Sequence, residues 1–150
     1  MKEMLILMVI LLVAVVAPSW GQGQVTYKKD IRPLFEEKCI RCHGSSSPSW
    51  EEFKKNQERF TRENFGPRMD TYPLLVDFVK GKDAGALMRR LDDGTNKEDR
   101  KPGNMYIHLG RDEGERQKSL KFFKDWVDSW TLKRRHQLSE EELSKITAPE

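Results

Sequence analysis

The sequence predicts an all-α fold of short helices, on three observations. Leu120, Phe123, Val127 and Trp130 recur at helical spacing, with Trp126 alongside. Asp112 with Glu115, and Ser139 with Glu142, have the three-residue spacing of helix N-terminal capping boxes. No strand-like alternation surrounds the chain's two cysteines.

The elements follow in chain order. Lys2 supplies a positive start, Met4 to Ala17 form an uninterrupted apolar run, and Ser19 and Gly21 are small residues at its end. This is the layout of a secretory signal peptide, residues 1–21, cleaved after Gly21. The run of about 14 apolar residues spans about 21 Å as a helix, short of the roughly 30 Å hydrocarbon core. A first helix is expected from an N-cap at Asp30 to about Lys38, with Pro33 in its first turn and Ile31, Leu34 and Phe35 on one face. Ser45 to Ser49 form a loop of small residues, and Trp50 to Phe60 a charged helix with a sparse stripe of Trp50, Phe53 and Phe60. Pro73 suits the start of a helix through Lys80 with Leu75, Phe78 and Val79 inward and Gly81 at its end. Asp83 is placed to cap the next, which carries Leu87, Met88 and Leu91 to a stop near Gly94. After a polar loop from Thr95 to Arg100, the longest helix is expected from Asp112 to about Trp130. Ser139 and Glu142, with Leu138 and Leu143 as a hydrophobic staple, mark one more short helix. A single domain, 22–150, accounts for the pattern, and its portion from about 133 is a helical packing extension.

The composition limits what this domain does. Without residues 1–21 roughly 30% of the chain is apolar and roughly 38% charged, against about 45–50% and about 25% in ordinary domains. Such a chain struggles to build a core from its own side chains. A net charge of +3 excludes an overwhelming field for nucleic acid. Two cysteines exclude a disulfide-dense mini-protein. No later segment is apolar enough to cross a membrane, so the mature protein is expected to be soluble, without stable membrane insertion, and outside the cytoplasm.

Cys39-Ile40-Arg41-Cys42-His43 is a C-x-x-C-H motif. Two thiols three positions apart at a helix end can add across the two vinyl groups of one haem, while the next residue turns its imidazole to the iron. Cys39 and Cys42 are the expected thioether positions and His43 the proximal ligand. A redox disulfide would want a βαβ setting. A structural zinc site would want four ligands, and His108 and His136 lie at no finger spacing. One covalently attached haem c is therefore the expected cofactor, and as a large apolar disc it supplies the core the side chains lack.

Three segments carry a family resemblance: Asp30-Ile31-Arg32-Pro33-Leu34-Phe35 leading into Cys39 to Gly44, Lys101-Pro102-Gly103-Asn104-Met105-Tyr106, and Phe122-Phe123-Lys124-Asp125-Trp126. Through them the chain resembles the class I cytochrome c family, especially the small monohaem cytochromes exported by metal-respiring bacteria. The resemblance implies the cytochrome c fold, short helices wrapped around one haem. It implies a contact of Phe35 with Phe123 or Trp126 where the last helix crosses the first. It also implies a methionine sixth ligand in the loop before the last helix, the position of Met105.

From the residues alone the sixth ligand has rivals. Met1, Met4 and Met8 leave with the signal peptide, and Met88 sits in a core pattern. Met105 follows the turn Pro102-Gly103-Asn104 and lies about sixty residues after His43. Met69 follows Gly66-Pro67-Arg68, a loop also able to present it, and His108 and an open position complete the alternatives. A Met/His pair raises the potential and leaves no vacancy, whereas an open position permits catalysis or gas sensing. His43 should donate its other ring N–H to a backbone carbonyl, which the sequence does not identify.

The function expected is a periplasmic electron carrier, not an enzyme, cycling Fe(III)/Fe(II) with His43 and Met105 as axial ligands. A haem enzyme or gas sensor with a labile sixth ligand is the alternative. The expected partners are other redox proteins, either periplasmic cytochromes or membrane oxidoreductases, met by a monomer. Lys28, Lys29, Arg32 and Arg41, and the run Lys133-Arg134-Arg135, are basic clusters that read first as solvated surface and second as steering charge.

Overall fold

The computed structural model describes residues 23–150. The expected signal peptide, residues 1–21, lies outside the described residues. Those described form short helices and connecting turns with no strand; Asp128 and Thr147 make one isolated antiparallel bridge.

The first helical element starts earlier than expected, because Thr26 rather than Asp30 caps it. The Thr26 hydroxyl accepts from the Lys29 amide, while the Asp30 carboxylate accepts from the Thr26 amide at 2.9 Å. A widened π turn, Tyr27–Ile31, follows and leads into α1, Arg32–Lys38. Pro33 lies in the first turn of α1, where its missing N–H costs least. Ile31 and Phe35 are buried and Leu34 packs partly against them. Cys39 then leaves regular helical geometry and starts a single turn, α2, Ile40–His43.

Beyond the serine loop the expected helix from Trp50 to Phe60 divides into α3, Trp50–Lys55, and α4, Gln57–Arg62. Asn56, a poor helix former, turns the chain between them at φ −137°, ψ 41°. The aromatic stripe survives the break: Phe53 stacks on Trp50 and on Phe60, each at 6.2 Å, and Trp50 meets Phe78 edge-on. Next, α5, Tyr72–Val76, is shorter than expected and gives way to turns, yet Leu75, Phe78 and Val79 all point inward.

Asp83 does not cap α6, Ala86–Leu91; Gly85 holds that position at φ +74°. Any side chain there would strike the Lys133 carbonyl, so the glycine is required twice over. Asp83 instead pairs with Arg89, whose guanidinium also donates to the Lys133 carbonyl at 2.7 Å. Met88 is 1% exposed, in the core position expected of it.

Asp112 caps α7, Glu113–Trp126, through the Glu115 amide. The reciprocal half of the box shifts by one residue, for Glu115 accepts from the Arg111 amide. The helix stops at Trp126 rather than near Trp130, because Asp128 is drawn into its bridge with Thr147 and helix bonding cannot continue through it. The π turn packs on α7, with Tyr27 and Trp126 ring centres 6.2 Å apart, and Phe35, Phe123 and Trp126 are all buried in the same core cluster.

The segment from about 133 lies against this body. A 3-10 turn, Arg135–Gln137, precedes α8, Glu140–Lys145, whose Ser139 and Glu142 form a complete capping box. Ile146 and Ala148 are then buried. The Pro149 carbonyl accepts from the Tyr27 amide and the Trp126 indole, and the Ala148 carbonyl from the Tyr72 hydroxyl. Three elements distant in sequence are thereby tied to one short strap.

Candidate functional site

Local structure sets the spacing of the two thiols. The Cys39 amide closes the last turn of α1 on Phe35, and the amides of Cys42 and His43 bond the Cys39 carbonyl at 3.1 and 3.0 Å. One tight turn therefore brings Cys39, Cys42 and His43 together. Gly44 ends it, where a β-carbon would meet the Ile40 carbonyl at 2.5 Å. Burial, with the neighbouring Cys42, pushes the Cys39 thiol up to about 12.

His43 is buried, and its Nδ1–H donates to the Pro67 carbonyl at 2.8 Å. That donation places the proton on Nδ1 and leaves the Nε2 lone pair free for a metal. Burial lowers the imidazole's affinity for protons; the Pro67 bond opposes the shift and the charge of His108 adds to it.

The chain from Gly66 to Met69 is the seat of this imidazole. Gly66 donates to the Cys42 carbonyl at 2.8 Å, Arg68 to the Pro48 carbonyl at 2.8 Å, and Met69 to the His43 carbonyl at 2.9 Å. Only glycine fits at 66, since a β-carbon would fall 2.6 Å from His43 Nδ1 and 2.8 Å from Nε2. The sequence marked Gly66-Pro67-Arg68 as a loop that could present Met69. The contacts reveal it also as the hydrogen-bonding back of His43. A Gly-Pro pair is a legible turn signal, but its partner 24 residues away is not.

Met105 stands in a separate, braced loop. Its amide donates to the Arg90 carbonyl at 3.0 Å, and the Gly103 amide to the Asp92 carbonyl at 2.7 Å. These are carbonyls at the end of α6 that the helix itself leaves free. The Arg90 guanidinium holds the Asn104 side chain at 3.0 Å. Gly103 has no room for a side chain, because a β-carbon would lie 2.5 Å from the Arg89 carbonyl and closer still to that of Arg90. Beneath the loop, the fully buried Asp92 carboxylate accepts from the Gly94 amide and the Asn96 side chain.

Met105 caps a 3-10 turn, Tyr106–Leu109. The Tyr106 hydroxyl donates to Glu113 and accepts from Gln117, fastening the turn to α7. Burial and the Glu113 carboxylate push that hydroxyl up to about 12. A polar crevice of about 420 Å³ beside Trp126 and Thr147 contains none of these groups.

The arrangement therefore combines two thiols and a metal-ready imidazole on one turn with a braced thioether loop, a donor set that suits a covalently attached haem. Helical architecture and this donor set define a c-type cytochrome. Residues 26–149 match the PccH cytochrome c family model, and the chain belongs to that family. The structure of monohaem cytochrome PccH from Geobacter sulfurreducens is similar at 48% identity and a TM-score of 0.79, with 85% of this chain and 100% of that chain covered. No curated protein matches the chain. The protein is accordingly a monohaem cytochrome with one covalently bound haem c, related to one from a metal-respiring bacterium. The family match runs through the segment from 133 to 149.

Proposed function

We propose that the protein is an electron carrier exported to the periplasm, with Cys39 and Cys42 carrying the haem and His43 and Met105 as its axial ligands. The observation that carries the reading is the His43 imidazole, buried against Gly66 and oriented by Pro67 so that Nε2 stays free. When bound, haem supplies the Fe(III)/Fe(II) couple. The chain's own residues hold the ligands rigid, which keeps reorganisation small when the charge changes.

The choice of Met105 over Met69 rests on what holds each backbone. A second donor to the group held by His43 would come from a segment separate from the one that seats that imidazole. Met69 is bonded through its amide to the His43 carbonyl, within the proximal seat. Met105 is held instead by α6, through contacts that involve no part of the 39–44 segment.

Two surface features support transfer to another redox protein. The large apolar side chains left exposed among the described residues are Ile40, between the cysteines, and Ile107, next to the Met105 turn. Residues 38–49 and 100–111 contain Lys38, Arg41, Arg100, Lys101 and Arg111 and no acidic residue. A partner with an apolar centre and an acidic rim fits such a surface. Among the described residues no helix is long and apolar enough to cross a membrane.

The test is the spectrum of the pure protein in both redox states. The ferric protein should show a weak red charge-transfer band that disappears in Met105→Ala. A band that survives there and vanishes in Met69→Ala refutes the ligand assignment. Rapid carbon monoxide binding by the reduced wild-type protein refutes the carrier.

A further inference from the structure

The turn that follows Met105 contains a second group with the chemistry of an axial ligand. In a 3-10 turn, side chains three residues apart eclipse, so the turn presents three faces. Tyr106 and Leu109, both buried, form one. Ile107, 65% exposed, stands on the second. Met105 and His108 share the third, and the His108 amide closes the turn on the Met105 carbonyl at 3.0 Å.

Two further facts bear on His108. Its electrostatic interaction with His43 helps lower that imidazole's affinity for protons, so the two rings belong to one neighbourhood. Its side chain has no hydrogen-bond or ion-pair partner within the described residues, and it is exposed. A neutral imidazole without other bonds is among the commonest metal ligands. Along the turn it lies about 6 Å from the Met105 position, one 3-10 repeat.

We propose that His108 is a latent axial ligand: it stays unbonded while Met105 is on the iron and replaces it when the thioether is lost. The proposal rests on Met105 as the resting ligand. The bracing explains why Met105 holds the position at rest. Its amide is bonded to Arg90 and its neighbour Tyr106 to Glu113 and Gln117, whereas the His108 side chain is not anchored. Exchange alters only which donor is bound; the iron's oxidation state and the haem's covalent attachment are unchanged. Replacing a thioether by an imidazole lowers the reduction potential.

The experiment compares ferric electron paramagnetic resonance and visible spectra of five holoproteins at neutral pH. These are wild type, His108→Ala, Met105→Ala, the double variant, and Met105→Leu as the packing-conserving substitute for Met105→Ala. His108→Ala should keep the wild-type spectrum. Met105→Ala and Met105→Leu should lose the red band yet remain low-spin, and the double variant should turn high-spin. Added imidazole should return the double variant to the spectrum of Met105→Ala. A high-spin Met105→Ala shows that His108 does not ligate and overturns the proposal, leaving Met105 as the resting ligand. A double variant that stays low-spin overturns it too, since another residue has been captured. If Met105→Ala keeps the red band, or His108→Ala loses it, the assignment of Met105 falls and the proposal with it.

Discussion

Replacing Gly66 by alanine adds a single methyl group against Cε1 of the His43 ring, between its two nitrogens, and its effect can be worked from the geometry. The new carbon would lie 2.6 Å from Nδ1 and 2.8 Å from Nε2, against ordinary separations of about 3.5 Å or more. The ring or the loop must therefore retreat by about 1 Å. Either movement opens the 2.8 Å bond from Nδ1 to the Pro67 carbonyl. A buried hydrogen bond left unmade costs about 1–3 kcal/mol, and overpacking adds about 1–3 kcal/mol, so a loss of about 2–6 kcal/mol is expected. Gly66 has no positive φ, so none of this cost comes from backbone conformation. Denaturant unfolding of the holoprotein measures it, with Gly23→Ala as the control because nothing lies within 4 Å of a β-carbon there. The potential should also move, since Nδ1–H donation increases the imidazole's basicity. A Gly66→Ala holoprotein with the wild-type midpoint and potential would falsify the picture of a tightly seated imidazole.

Three further outcomes follow from the same structure. Gly103→Ala pushes against the Arg89 and Arg90 carbonyls and should detach the Met105 loop, at about 2–4 kcal/mol, with the red charge-transfer band weakened; an unchanged band contradicts the bracing by α6. Glu115 accepts from the side chain and amide of Arg111, which lower its carboxyl from the ordinary 4.5 to about 2. The unfolded chain binds the proton first, so this contribution is present above pH 4.5 and lost as pH falls toward 2. Glu115→Gln should flatten the acid limb of a stability–pH curve across that window, and an unaltered slope there refutes the assignment. Finally, the haem-free Cys39→Ala/Cys42→Ala protein should be expanded and unfold without a sharp transition, since side chains alone make a small core; small-angle scattering that matches the holoprotein's radius contradicts this.

How far the elements were legible in the sequence depended on the range of the contacts that decide them. Ser139 and Glu142 cap α8 as expected because both halves of a capping box lie within one turn. Leu75, Phe78, Val79, Met88, Leu120 and Phe123 are buried as their spacing required. Helix ends were less legible. α7 stops at Trp126 because Asp128 bonds Thr147, and Gly85 rather than Asp83 begins α6 because the Lys133 carbonyl presses on it. In each case the deciding partner is 19 or more residues away and leaves no periodic trace.

The same division runs through the site. By itself the sequence pointed to one covalent haem, and to Cys39-Ile40-Arg41-Cys42-His43 as the expected place of attachment, because joining two thiols and an imidazole to one group demands residues within a single turn. It also determined the helical class, since amphipathic spacing and caps are local. Only the tertiary structure decided that Pro67 orients His43, that Gly66 makes room for the ring, and that Arg90 and Asp92 brace the Met105 loop. These are contacts of backbone carbonyls, which every residue carries alike; their positions are set by how distant segments pack, and no side-chain pattern announces them.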